Sequence, residues 1–374
     1  MSQECTHIVF AGGGTGGRLF PGLAVAEQFA AAIPSARITF CGPGKPFERR
    51  QVTCSGFEYL ALPACPLPHG PREAMTFLVE NLAGYLAARR LLRQERVAAV
   101  VALGGYAGLP VARAAVRQQV PLVLLEQNAI PSRLSRWLAR RASLVCAAFE
   151  TAVEPLSGHC PVRVTGNPVR SGFHRRPSAP SRPLQLVILG DSGGGRPLNT
   201  GIPAVLGKLR DQLQGWRVLH QSGEAGLAET WNLYAELGLD AAAVPFLSNM
   251  PGVLAATDLV VCRAGGTALA ELAVAGVPAL VLPHPNARDD HQRANAEVFA
   301  AGGGCVTIDE RTVSVPLDEA VAAALRPLLA DGCLRQQMSA AIQRLARPNA
   351  AADVAELLWS LVSSRAYRAE PAVA

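Results

Sequence analysis

Apolar residues along this chain gather into short unbroken runs instead of alternating with polar ones. In the first half the runs fall at 7–11, 37–41, 97–103, 121–125 and 144–147, and in the second at 186–189, 217–220, 259–262 and 279–282. A strand that is apolar on both faces is covered on both faces, and the intervening stretches have helical character. The pattern therefore predicts parallel sheets flanked by helices, an α/β chain. Between the halves, the segment 175–183 (Arg-Arg-Pro-Ser-Ala-Pro-Ser-Arg-Pro) is rich in proline, serine and arginine and lacks either periodicity. The reading divides the chain into a first domain at 1–165, a linker at 166–183, a second domain at 184–366 and a tail at 367–374. A return of the last helix to the first domain is left open.

Composition narrows the class. The chain has 374 residues, 49% apolar and 17% charged, which suits two globular domains. Nine scattered cysteines form no C-x-x-C pair, which argues against a disulfide framework or zinc knuckle and points to a reducing cytoplasm. No basic region precedes the first apolar run, which reads as a strand and not a signal peptide. The segment 264–283 carries only Glu271 as a charge, but Gly276 and Pro278 divide it, so no spanning helix is expected. Residues 1–165 hold 17 Lys/Arg against 10 Glu and no Asp, whereas residues 166–374 hold 18 against 19. The positive excess of the first half suits an anionic partner, phosphate or an acidic membrane surface, or a merely soluble basic face.

Three glycine turns each follow an apolar run and open a helix: 11–17 (Ala-Gly-Gly-Gly-Thr-Gly-Gly), 190–195 (Gly-Asp-Ser-Gly-Gly-Gly) and 263–267 (Arg-Ala-Gly-Gly-Thr). The first contains a G-x-G-x-x-G spacing, yet the second run ends Phe40-Cys41-Gly42-Pro43-Gly44 without the acid that would hold a dinucleotide ribose. None supplies Gly-Lys-Ser/Thr, which excludes a P-loop NTPase. What remains is general: glycines let backbone approach a phosphate, and a helix start offers N–H groups to it. Glu271, one turn into the helix after the third turn, could accept hydrogen bonds from a ribose diol, or serve only as an acid in the early helix. His220 follows a strand, a core or cleft-lining place more than a catalytic one. No cluster has metal-ligand spacing.

Taken together, several motifs resemble the MurG family of bacterial N-acetylglucosaminyltransferases over nearly the whole chain. They are Gly13-Gly14-Thr15-Gly16-Gly17 with Phe20-Pro21-Gly22, Gly104-Gly105-Tyr106, Glu126-Gln127-Asn128, Gly166-Asn167-Pro168-Val169-Arg170, His220-Gln221-Ser222-Gly223, Val261-Cys262-Arg263, Glu271, and Gln292 with Asn295-Ala296. The resemblance implies the GT-B arrangement of two Rossmann-like domains, a UDP-N-acetylglucosamine donor, an undecaprenyl-diphosphate-linked muramyl-pentapeptide acceptor, inversion, and no cofactor or metal. It implies a place in peptidoglycan synthesis on the cytoplasmic face of the inner membrane, with an anionic lipid surface as partner. Nucleic acid is not among the expected partners, and the oligomeric state is left open. By position, the substrate contacts would be Thr15, Gly16, Gly17, Asn128, Arg170, Ser192, Leu247, Gly266, Thr267, Ala268, Leu269, Ala270, Glu271 and Gln292. Leu247 would lie beside the base and Glu271 on the ribose.

Two positions depart from the family pattern. The first loop normally ends in histidine, the usual base, and here the residue is Arg18. A guanidinium cannot take up a proton at neutral pH. Arg18 either binds a diphosphate while Glu126 or water accepts the proton, or leaves the enzyme slow, or marks a site that binds without turnover. Non-catalytic UDP-sugar binding and a different acceptor stay open on this ground. In the second loop Ser192 stands, but the usual glutamine is absent and Asp191 is added.

The segment 72–93 sets Met75, Phe77, Leu78, Val79, Leu82, Tyr85 and Leu86 beside Arg72, Arg89, Arg90 and Arg93. These residues make either a lipid-docking face or an amphipathic helix whose apolar side packs on the core.

Overall fold

The computed structural model describes residues 6–68, 70–174, 183–190 and 196–369. It divides into two compact units: residues 1–170 with 348–374, and residues 171–347. Residues 175–182 of the expected linker 166–183 lie outside the described residues, as does the expected tail from 370 on.

The first unit holds β1 (His7–Ala11), β2 (Arg37–Gly42), β3 (Glu58–Ala61), β4 (Ala99–Ala102), β5 (Leu122–Glu126), β6 (Leu144–Ala147) and β7 (Val162–Val164) in one sheet of order β3-β2-β1-β4-β5-β6-β7. All its pairings are parallel. Period-two alternation sends Ile8 and Phe10 to one face, where they meet the helix Gly16–Ala32 and the helix Ala350–Ala369. Phe29 is fully buried there beside Leu358 and lies edge-on to Trp359. Val9 and Ala11 go to the other face, under the helices Pro71–Gln94, Leu109–Arg117 and Arg133–Ala139. Burial on both faces explains the unbroken apolar runs.

The second unit holds β8 (Leu184–Leu189), β9 (Trp216–Gln221), β10 (Ala241–Val244), β11 (Leu259–Cys262), β12 (Ala279–Val281) and β13 (Cys305–Thr307) in a parallel sheet of order β10-β9-β8-β11-β12-β13. Its core includes Leu186, Ile188, Leu259 and Val261 from the central strands. In each sheet the order reverses beside the first strand, between β1 and β4 and between β8 and β11. At such a switch point the loops beyond the carboxyl ends of the strands diverge and leave a crevice for ligand.

Four strands are not announced by apolar runs: β3, β7, β10 and β13. They are the four sheet edges, and each is only partly covered.

The candidate substrate sites at the two switch points

In the first unit the crevice is built from glycines. Gly12, Gly13 and Gly14 all have positive φ, and a Cβ on Gly12 would stand 2.9 Å from the Leu103 Cβ, so β1 and the loop after β4 meet as backbone on backbone. Thr15 is the extended N-cap of the helix Gly16–Ala32, and its side chain makes no capping bond. Thr15 and Gly17 are exposed and Gly16 is buried. Arg18 is half-buried and lies across the Gly104–Gly105 turn: a Cβ on Gly105 would come within 2.6 Å of its Nη1. With φ +75° at Gly105, the backbone conformation favours glycine beneath this guanidinium. Arg170 stacks its guanidinium on Phe20, 3.9 Å from the ring centroid.

Glu126 ends β5 and is buried. Its Oε1 accepts hydrogen bonds from the backbone N and the Nδ2 of Asn128, both at 3.1 Å, and its Oε2 accepts the Ser132 N–H at 3.4 Å. The carboxylate is thereby spent on shaping its own loop and fixing the Asn128 amide.

In the second unit the turn after β8 carries Ser192 and Asp191, and both lie outside the described residues. The turn after β11 is described. Gly265 caps the helix Gly266–Ala275, and a Cβ there would meet nothing within 4 Å, so the helix start opens onto free space. Gly266, Thr267 and Leu269 are buried and Ala268 and Ala270 half-buried, while Glu271 in the second turn is 6% exposed. Gly276 in the left-handed conformation ends the helix. Asn295, fully buried on the helix His291–Ala301, donates to the Ala264 carbonyl at 3.0 Å and ties the two helices at this turn. Gln292 accepts the His284 N–H at 2.9 Å, which fixes its side chain after β12. Arg263 is buried, bonds the Leu282 carbonyl at 3.1 Å and pairs with Glu310.

Leu247 follows β10, and its N–H donates to the Gln221 Oε1 at 3.0 Å. His220 is fully buried, with Nδ1 on the Tyr234 hydroxyl at 2.9 Å and Nε2 on the Asn199 Oδ1 at 3.1 Å. Burial pushes its pKa down to about 4, so the ring is neutral at pH 7. It is a bonded core residue.

Each unit thus gathers the sequence-predicted residues at the carboxyl ends of its strands: Thr15, Gly16, Gly17, Arg18, Glu126 and Asn128 with Arg170 in the first, and Leu247, Gly266 to Glu271 and Gln292 in the second. Residues 8–146 match the glycosyltransferase family 28 N-terminal domain, and residues 185–357 match its C-terminal domain. A relative from Xylella fastidiosa named UDP-N-acetylglucosamine--N-acetylmuramyl-(pentapeptide) pyrophosphoryl-undecaprenol N-acetylglucosamine transferase is 37% identical, covering 96% of this chain and 98% of its own. The chain belongs to the MurG family. A Geobacter sulfurreducens relative of the same name is 34% identical over 93% of this chain and 97% of its own. The crystal structure of Acinetobacter baumannii MurG superposes with a TM-score of 0.71 at 28% identity, covering 95% of this chain and 99% of that one. Both units are Rossmann-like, and the fold class is GT-B, as in other MurG proteins.

Sequence reasoning missed one residue of this site. Glu48, on the helix Pro46–Cys54, is buried and accepts the Gly14 N–H. An acid was sought at the end of β2; it stands six residues beyond Gly42, and its only signal is a lone carboxylate among Lys45, Arg49 and Arg50.

Proposed function

We propose that this chain transfers N-acetylglucosamine from UDP-N-acetylglucosamine to undecaprenyl-diphosphate-linked N-acetylmuramyl-pentapeptide with inversion, forming a β-1,4 linkage. The observation that carries this is the helix Gly266–Ala275, whose open glycine start precedes a buried carboxylate, in a MurG-family chain. Amides for a diphosphate and a carboxylate for a vicinal diol, one turn apart, match a nucleoside diphosphate.

The roles are those the family resemblance implies by position, and the chemistry of each group suits them. In the second unit, the Leu247 backbone reads the base and Glu271 binds the ribose. The helix start at Gly266, Thr267, Ala268, Leu269 and Ala270, with Ser192, receives the diphosphate, and Gln292 addresses sugar hydroxyls. Departure of UDP develops negative charge, which the fixed amides of that helix start stabilise; Arg170, in the first unit, is a guanidinium suited to a phosphate of the substrates. In the first unit, Thr15, Gly16 and Gly17 face the acceptor and the transferred sugar. Arg18 binds a diphosphate and not a proton, since it stays charged at every working pH. Glu126 orients the Asn128 amide toward its sugar hydroxyl.

The same reading places the protein peripherally on the cytoplasmic face of the membrane. Among the described residues no helix is long and apolar enough to cross one. The helix Pro71–Gln94 has its apolar character inverted: Gly84, Ala88 and Leu92 face inward, and a Cβ on Gly84 would collide with the Pro63 carbonyl. Met75, Leu78, Val79, Leu82 and Leu86 are more than half exposed. Arg72, Arg89, Arg90 and Arg93 flank this stripe, and Tyr85 lines a cavity of about 810 Å³ together with Arg113, Arg117, Trp137, Arg140 and Arg141. An apolar stripe beside concentrated arginine suits acyl chains and anionic headgroups.

Incubating the protein with labelled UDP-N-acetylglucosamine and a lipid-diphosphate muramyl-pentapeptide tests the activity. Labelled disaccharide lipid and stoichiometric UDP are expected; neither appearing above background refutes it.

A further inference from the structure

Beneath the first glycine turn lies a carboxylate that none of these roles uses. Glu48 is 1% exposed; its Oε1 accepts the Gly14 N–H at 2.5 Å and its Oε2 accepts the Tyr59 hydroxyl at 2.9 Å. The Tyr59 oxygen in turn accepts the Gly44 N–H at 3.0 Å. From the same helix start, Lys45 donates its Nζ to the Gly14 carbonyl at 2.9 Å. Two glycines make room for the carboxylate, because a Cβ on Gly13 would stand 2.9 Å from the Glu48 Cδ and one on Gly42 would stand 2.8 Å from its Oε2.

Two consequences follow. The peptide planes on both sides of Gly14 are held, one by a carboxylate and one by an ammonium, in a turn whose three glycines have positive φ and little stiffness of their own. The Gly14 N–H is also already taken, and a negative charge under Gly13–Gly14 disfavours any second anion there. The turn is therefore not the uniform phosphate cradle its glycines suggest. Its anion-accepting end is the helix start and the Arg18 guanidinium.

We propose that Glu48 is a positioning residue for the acceptor side of the reaction: it clamps the turn and steers the acceptor's diphosphate away from Gly13–Gly14 toward Gly16 and Arg18. This rests on the transferase activity proposed above, and the test separates the two. Glu48→Gln keeps an oxygen for the Gly14 N–H and removes the charge. Its acceptor KM and kcat are expected to fall together, about three- to tenfold, because the diphosphate gains a second, unproductive place at Gly13–Gly14. Glu48→Ala removes clamp and charge together, and kcat is expected to fall about tenfold or more. In both variants UDP affinity, measured by calorimetry, stays unchanged, because the second unit holds the nucleotide. Lys45 is exposed, so Lys45→Met leaves the fold intact and keeps the proposal testable should Glu48→Ala not fold; a severalfold loss of kcat is expected.

A defect of folding alone would lower kcat in Glu48→Gln and Glu48→Ala alike and leave KM where it was. That pattern, a raised KM in Glu48→Gln, or undiminished kcat in folded Glu48→Ala or in Lys45→Met overturns the proposal. No transfer by the unaltered protein overturns the activity instead.

Discussion

The exposed stripe of the helix Pro71–Gln94 gives the most quantitative test of membrane docking. Leu78 and Leu82 are 61% and 58% exposed, on the face turned away from the core. Fully burying a leucine side chain contributes about 1.5–3 kcal/mol, so seating the exposed part of each in the acyl boundary is worth roughly 1–2 kcal/mol. The double variant Leu78→Gln/Leu82→Gln should lose about 2–3.5 kcal/mol of partition energy, which is about 30- to 300-fold in the partition coefficient. The assay is co-sedimentation with vesicles of mixed phosphatidylglycerol and phosphatidylcholine over a range of lipid. Because both side chains already face water, the melting temperature should hold, surface changes of this kind lying within about 0.5 kcal/mol. The arginines remain, so residual binding should be weak and should vanish at high salt. Transfer to a short-chain, detergent-dispersed acceptor should be unaffected. A partition coefficient within threefold of the unaltered protein, at equal stability, refutes the assignment of this face to lipid.

Three further outcomes are expected. Glu271→Ala should weaken UDP binding about 10- to 150-fold, the value of charged hydrogen bonds worth about 1.5–3 kcal/mol, with kcat at saturating donor changed far less; unchanged calorimetric affinity refutes the ribose role. Arg18→Ala should raise the acceptor KM about tenfold or more by removing a charged contact to diphosphate, and an unchanged KM sinks that role. His220 has a folded pKa of about 4, below its unfolded value, so its contribution to stability is complete above pH 6.5 and is lost as pH falls from 6.5 towards 4. Over that window the loss is about 3 kcal/mol, and His220→Gln, though less stable overall, should show a flatter denaturation profile there.

How much of the fold was legible depended on where a strand lies in its sheet. The nine apolar runs correspond to the interior strands, because a central strand of a covered parallel sheet is apolar on both faces. The four strands without a run are the edges. Glu58 and Leu60 on β3 and Arg163 on β7 face water, so their segments read as polar or mixed. The same logic explains the helix Pro71–Gln94. Its composition allowed either a core-packed or a lipid-facing apolar side, and periodicity cannot say which side turns inward. The structure shows that Gly84, which meets the Pro63 carbonyl, Ala88 and Leu92 turn inward, and that Met75, Leu78, Val79, Leu82 and Leu86 are left exposed.

The site divides along a similar line, between chemistry carried by backbone and chemistry carried by side-chain partnership. A glycine turn after a strand and before a helix means much the same in any chain, since its donors are peptide N–H groups and its position is fixed by the sheet; the turns at 11–17 and 263–267 were therefore legible from spacing alone. Side chains acquire roles only from what they touch. Glu126, offered by the sequence as one group that accepts the acceptor's proton, is bound by its own loop through Asn128 and Ser132. Glu48 stands among Lys45, Arg49 and Arg50 in no motif of its own, and it is buried under Gly13–Gly14. Arg18 joins both kinds. Its identity, read from sequence, removes proton transfer at that place, and its geometry lays a guanidinium across the Gly104–Gly105 turn, where φ is positive at both glycines. With the Gly14 N–H taken by Glu48, the reading proposed above assigns the acceptor's diphosphate to the helix start and Arg18. The exchange of the family's histidine for arginine therefore puts a permanent cation and no proton acceptor at position 18, which is the ground for the acceptor-side role proposed above.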